Sequence, residues 1–205
     1  IYSSSKACCE ILTESFVKSF IDINKCKIAT VRSGNCIGGG DWTKDRIVKD
    51  CVEAFINKKK LVIRSPNSTR PWQHVMEPVC GYLKLAEKLS SKNGKRFVGS
   101  WNFGPSRVNL SVLNLAKLGK KIFDSSSKIV IEQKKIKKHE AKYLSLDSKK
   151  SFKYLKWKIY MKPELSLKLT FDWFKVFYAN KGNSKKVIEF TVNQFENFKR
   201  KIKYF

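Results

Sequence analysis

Residues 27–42 read Lys27-Ile28-Ala29-Thr30-Val31-Arg32-Ser33-Gly34-Asn35-Cys36-Ile37-Gly38-Gly39-Gly40-Asp41-Trp42. The first six are short, largely apolar and partly β-branched, which predicts a buried strand. Ser33-Gly34-Asn35 and the glycine triplet then call for turns. Upstream, Ile11, Leu12, Phe16 and Phe20 recur at helical spacing within 7–20. Helix, strand and glycine loop make an α/β rhythm, and it continues downstream. Apolar spacing predicts further helices over 45–57, 77–89, 110–123 and 164–178. Strands are expected over 61–64, 101–105 and 128–132, and Pro66-Asn67-Ser68-Thr69-Arg70-Pro71 has turn chemistry. The Lys134–Lys138 run reads as a solvated loop.

The chain has 205 residues, of which 42% are hydrophobic and 13% aromatic, enough to fill a sizeable core. Its formal net charge of +26 invites a nucleic-acid reading, because a strongly positive surface attracts phosphate whatever the fold. The excess, however, is lysine spread from Lys6 to Lys203, whereas base and phosphate recognition favours arginine in fixed places. No apolar run of about eighteen residues occurs, so no membrane-spanning helix is expected. The six cysteines lie within the first 80 residues without paired spacing, and the two histidines are too few to complete a typical zinc site. They read as reduced thiols of a cytosolic protein that serve as small apolar filler.

Tyr2 and Lys6 are four apart, so on a helix they project from one face. An ammonium beside a phenol favours the phenolate, which would make Tyr2 a general base. Taken alone, the Y-x-x-x-K spacing is common in a lysine-rich chain; its setting gives it meaning.

Tyr2-Ser3-Ser4-Ser5-Lys6-Ala7 with the helix and strand that follow resembles the extended short-chain dehydrogenase/reductases that modify nucleotide sugars. Further strings resemble the CDP-glucose 4,6-dehydratase family within that group: Gly38-Gly39-Gly40-Asp41-Trp42, Asp45-Arg46, Arg64 to Val75, Trp101 to Pro105, His139 to Leu144, Leu155-Lys156-Trp157 and Thr170 to Phe174. The resemblance covers nearly the whole chain, and the Arg64 to Val75 string is its most specific part. The family begins with a strand, a G-x-x-G-x-x-G turn and a helix that hold the NAD pyrophosphate. That glycine motif does not occur here; Gly38-Gly39-Gly40 has the wrong spacing and follows the wrong strand. The chain is therefore expected to be roughly the C-terminal half of such an enzyme, inactive by itself.

The resemblance implies an α/β fold in two interleaved parts. Residues 1–35 and 73–104 would complete a Rossmann-type parallel sheet, and 36–72 with 105–205 would form a smaller sugar-nucleotide lobe. It implies NAD as cofactor, CDP-glucose or a similar sugar nucleotide as substrate, a 4-keto-6-deoxy product of the kind used in lipopolysaccharide O-antigen, and a homodimer when complete. Tyr2 would be the base, and Lys6 would favour its phenolate and reach the nicotinamide ribose. Arg70 would meet the pyrophosphate; Asn35, Arg46, Arg64, Asn102 and His139 occupy other substrate-binding positions. Each has a plainer reading: Asn35 and Asn102 as loop-capping amides, Arg46 as a helix-terminal surface residue, His139 as a solvated neighbour of the lysine run. His74 and the tryptophans read as packing groups. The alternatives are a related nucleotide-sugar epimerase or reductase, which would share Tyr2 and Lys6, and a basic nucleic-acid-binding domain.

Overall fold

The computed structural model describes residues 1–105, 110–132 and 144–202. The chain opens with helix α1 (Tyr2–Phe20), in which only Glu10, Thr13 and Val17 are half-buried and none is fully buried. Strand β1 (Ala29–Ser33) and the two-residue β2 (Cys36–Ile37) follow, then α2 (Ile47–Ile56) and β3 (Leu61–Ile63). Strand β4 (Gln73–His74) leads into α3 (Met76–Ser90), and a 3₁₀ turn (Gly94–Phe97) precedes β5 (Gly99–Phe103). The remaining elements are α4 (Val112–Phe123), β6 (Ile129–Ile131), α5 (Lys149–Leu155), α6 (Pro163–Ala179) and α7 (Ser184–Ile202).

Among the described residues the strands pair two by two, all in parallel: β1 with β5, β2 with β4 and β3 with β6. Parallel pairing needs long crossovers, and helices supply them here. The fold is thus the expected α/β arrangement. The register of β1 on β5 sets Arg32 opposite Asn102 and Ser33 opposite Phe103.

Among the described residues one large core and two smaller ones result. Helices α2, α4 and α6 close over β3 around Cys51, Val52, Phe55, Leu61, Ile63, Leu115, Leu167, Phe171 and Phe174. Local signals fix these helices. Ser111 caps α4 by accepting a hydrogen bond from the Asn114 amide at 3.2 Å, and Asp124 ends it in the left-handed region; α6 starts with Pro163 in its first turn. The second core sits on one face of the β1–β5 pair, where Leu85, Trp101, Phe103, Leu155 and Trp157 pack together. Phe152 stacks on Trp157 with centroids 5.3 Å apart. In the third, Phe198 and Ile202 of α7 pack with Cys80 and Met161.

Between the last two cores lies Glu77, which is 1% exposed. Its Oε1 accepts from the amides of Tyr160 (2.8 Å) and Met161 (2.7 Å), and its main-chain carbonyl accepts from Trp157 Nε1 at 2.9 Å. The first turn of α3 is thereby stapled to the 157–161 segment. Oε2 has no partner among the described residues, and burial pushes the carboxyl up to about 7.

Candidate active site

The C-terminal ends of β1 and β5 are where a parallel sheet exposes its loops to ligand. Gly34 leaves β1 there, with its amide donating to Phe103 O at 3.3 Å. A side chain at this position would meet the Pro71 carbonyl at 2.5 Å, so only glycine lets the two backbones approach. Asn35, half-buried, accepts at its carbonyl from the Gln73 amide at 3.1 Å. Gln73 Nε2 in turn donates to Phe103 O at 2.8 Å. The segments 33–36, 70–73 and 102–104 are thus laced into one edge, with half-buried Arg70 on the adjoining turn, where Nη1 donates to Thr69 O at 2.8 Å.

Asn102 is the penultimate residue of β5, with its amide in use at both ends. Oδ1 accepts from Arg32 Nη1 at 3.2 Å, and Nδ2 donates to Asp147 O at 3.0 Å. Tyr2 and Lys6 lie in the first two turns of α1, the ammonium 5.6 Å from the phenol ring centroid and Tyr2 75% exposed. Arg46 occupies the N-cap position of α2 and Arg64 follows β3; both are exposed, and Asp45, beside Arg46, lies 3.5 Å from the Arg64 guanidinium. The structure therefore gathers Asn35, Arg70 and Asn102 at one strand-end edge and Arg46 with Arg64 at another place on the 45–64 segment. His139 lies outside the described residues.

Sequence reasoning passed over Glu10 and Arg32. The Glu10 carboxylate accepts from Arg32 Nε (2.9 Å) and Nη2 (2.6 Å), from Thr30 Oγ1 (2.9 Å) and from Ser100 Oγ (3.1 Å). The Arg32 guanidinium beside it holds the carboxyl at about 2, well below the usual range. Glu10 stands eight residues after Tyr2, the next step of the same helical stripe, and that spacing could have revealed it.

His74 is 2% exposed; its Nδ1 accepts from the Met76 amide at 3.4 Å and burial pushes the ring down to about 4, as befits a packed neutral imidazole. The glycine triplet is filled from the other side. A side chain on Gly39 would collide with the Trp173 indole, and Trp42 packs against Phe177 with centroids 4.9 Å apart. That loop is held by α6.

Comparison with known proteins bears on this geometry. No family model matches the chain. A CDP-glucose 4,6-dehydratase of Salmonella typhimurium is 38% identical over 163 residues, covering 76% of this chain and 45% of that protein. The chain is thus similar to CDP-glucose 4,6-dehydratase over most of its own length. Solved structures of epimerases and dehydratases share its fold. A UDP-glucose 4-epimerase from Thermotoga maritima superimposes with a TM-score of 0.70 at 22% identity, over 85% of this chain and 53% of the epimerase. A dTDP-glucose 4,6-dehydratase from Bacillus anthracis, in complex with NAD, gives 0.64 at 16% identity over 91% and 54%. The chain spans about half the length of the relatives it matches. Among the described residues no helix is long and apolar enough to cross a membrane.

Proposed function

We propose that this chain supplies the acid/base helix and the sugar-nucleotide half of an NAD-dependent dehydratase that converts CDP-glucose to CDP-4-keto-6-deoxyglucose in the cytoplasm. The observation that carries the reading is the 38% identity to a CDP-glucose 4,6-dehydratase, together with the strand-end position of Asn35, Arg70 and Asn102.

In this reading Tyr2 takes the proton of the sugar 4-hydroxyl through its phenolate oxygen, and the Lys6 ammonium beside the ring favours that anion. The two side chains fit the nicotinamide-ribose end of NAD, being adjacent and open to ligand. The pyrophosphate end finds no matching glycine turn within this sequence, and in the Gly38–Gly40 loop Trp173 packs against Gly39 and Gly40. NAD, when bound, supplies the hydride acceptor and donor. Arg70 offers a guanidinium fork to the substrate diphosphate, with Asn35, Asn102, Arg46, Arg64 and His139 as further polar contacts. Asn102 can serve only beside its present bonds to Arg32 and Asp147. Residues 1–35 and 73–104 belong to the cofactor-binding part in this scheme, and 36–72 and 105–205 to the substrate part; the complete enzyme pairs as a homodimer.

The test is turnover of CDP-glucose to a 4-keto-6-deoxy product by the native protein that contains this chain. Tyr2→Phe should lower kcat by about 10²-fold or more, and Arg70→Ala should raise KM. Turnover of another sugar nucleotide without turnover of CDP-glucose would refute the substrate assignment.

A further inference from the structure

Positions Tyr2, Lys6, Glu10, Thr13 and Val17 are spaced by four, four, three and four, so they form one stripe along α1. The last three of them are half-buried, with Glu10 bonded to the sheet, while Tyr2 and Lys6 continue the stripe into the open. Asp22, just past the end of α1, lies within electrostatic reach of Lys95, which precedes β5, so α1 runs back along the β1–β5 pair and its first turns point toward the strands' C-terminal ends. At a rise of about 1.5 Å per residue, Tyr2 stands roughly 12 Å beyond Glu10 along the helix axis. That carries the phenol past the strand toward the edge where Asn35 and Asn102 lie.

No residue of α1 is fully buried, so apolar packing sets its rotation only weakly. The Glu10 carboxylate, by contrast, is bound from three directions: Arg32 and Thr30 on β1 and Ser100 on β5. The same Arg32 guanidinium holds Asn102 Oδ1, so one cation fixes the acid/base helix and a candidate substrate amide together. A paired, bidentate arrangement has a single good geometry. Slipping α1 by one residue rotates its stripe by about 100°, which would break the pair and swing Tyr2 and Lys6 off the strand ends.

We infer that Glu10 and Arg32 form a positioning latch that sets the rotation of α1 and thereby aims Tyr2 and Lys6 at the strand-end site. The inference deepens the proposed dehydratase reading and rests on it for its functional arm. Neither Glu10 nor Arg32 is assigned contact with substrate; both act through Tyr2 and Asn102.

Two measurements test it. In hydrogen exchange on the 205-residue chain, Glu10→Gln is expected to raise exchange across α1 at least tenfold while α2, α4 and α6 stay as protected as in the wild type. The double swap Glu10→Arg with Arg32→Glu should restore protection. In the native protein containing this chain, Glu10→Gln should lower kcat at least tenfold, with KM for CDP-glucose within twofold, and the swap should recover most of kcat. Arg32→Lys keeps the charge but loses the fork, and it serves if Glu10→Gln fails to fold; it should show the same loss in milder form. Unchanged α1 exchange together with unchanged kcat overturns the latch, as does a loss of kcat that the swap leaves unrepaired. Tyr2→Phe separates the two claims. It should leave α1 exchange at the wild-type level; if it also leaves turnover intact, the catalytic reading fails while exchange still judges the latch.

Discussion

The lobe built from α2, α4 and α6 and the helix α1 follow the same helical pattern but bury their apolar residues differently. In the lobe, Cys51, Val52, Leu115, Leu167, Phe171 and Phe174 are fully withdrawn from water. On α1, Ile11, Leu12, Phe16 and Phe20 recur just as regularly and remain exposed, Phe20 at 74%. Periodicity therefore marks a face that can be buried and says nothing about what buries it. The lobe draws its stability from the transfer of apolar area, whereas α1 buries no residue fully and is bonded to the sheet through the Glu10 carboxylate.

The sharpest way to break that contrast is to remove a large side chain from the lobe. Phe171→Ala should cost about 3–5 kcal/mol by deleting a ring that packs between Phe123 and the rest of the core. Chemical denaturation would read it as a lowered midpoint. A loss below about 1 kcal/mol would mean that the lobe is no better packed than α1.

A second test uses the buried polar groups that lie between the extremes. Glu77 has its folded value raised from 4.5 to about 7, so its contribution to stability is full below 4.5 and is lost as pH rises through 7. His74 has its value lowered from 6.5 to about 4, so its contribution is present above 6.5 and is lost as pH falls through 4. Glu77→Gln should therefore gain thermal stability relative to wild type as pH rises from 4.5 to 7. His74→Gln should gain relative to wild type as pH falls from 6.5 to 4. Melting curves at four or five pH values would show the two opposite slopes, and parallel curves for variant and wild type would remove burial as their cause.

The smallest effect is expected on α1. Phe20→Ser should change the stability of this chain by no more than about 0.5 kcal/mol, because the ring is already in water. A loss above 1 kcal/mol in the same denaturation assay would show that α1 is packed as the lobe is.

The elements with strong periodicity were legible within a few residues. The helix expected over 45–57 is Ile47–Ile56, and that over 110–123 is Val112–Phe123. Others had no local signal. Gly99 and Ser100 are poor strand formers, yet they begin β5 because Ala29 and Thr30 pair with them. Strands β2 and β4 have two residues each, too few for alternation to show. Helix α5 has only seven residues, and α7 mixes buried Val187, Phe198 and Ile202 with exposed Ile188, Val192 and Phe195, which blurs its stripe. In the candidate site the Y-x-x-x-K pair and the Arg64 to Val75 string were readable because they are contiguous. The pairing of Glu10 with Arg32 was not, since a carboxylate and a guanidinium 22 residues apart become partners only once α1 packs on β1.

The sequence by itself determined the α/β alternation, the strand-then-glycine turn at 27–40 and the kinship with epimerases and dehydratases. These depend on neighbouring residues, whose spacing and φ, ψ demands are written locally. Only the tertiary structure decided that Arg32 faces Asn102, that Gly34 lies against Pro71 and that Glu10 of α1 meets Arg32, Thr30 and Ser100. Parallel register and polar pairing across 70 residues are set by the packing of whole elements, and no local pattern encodes them.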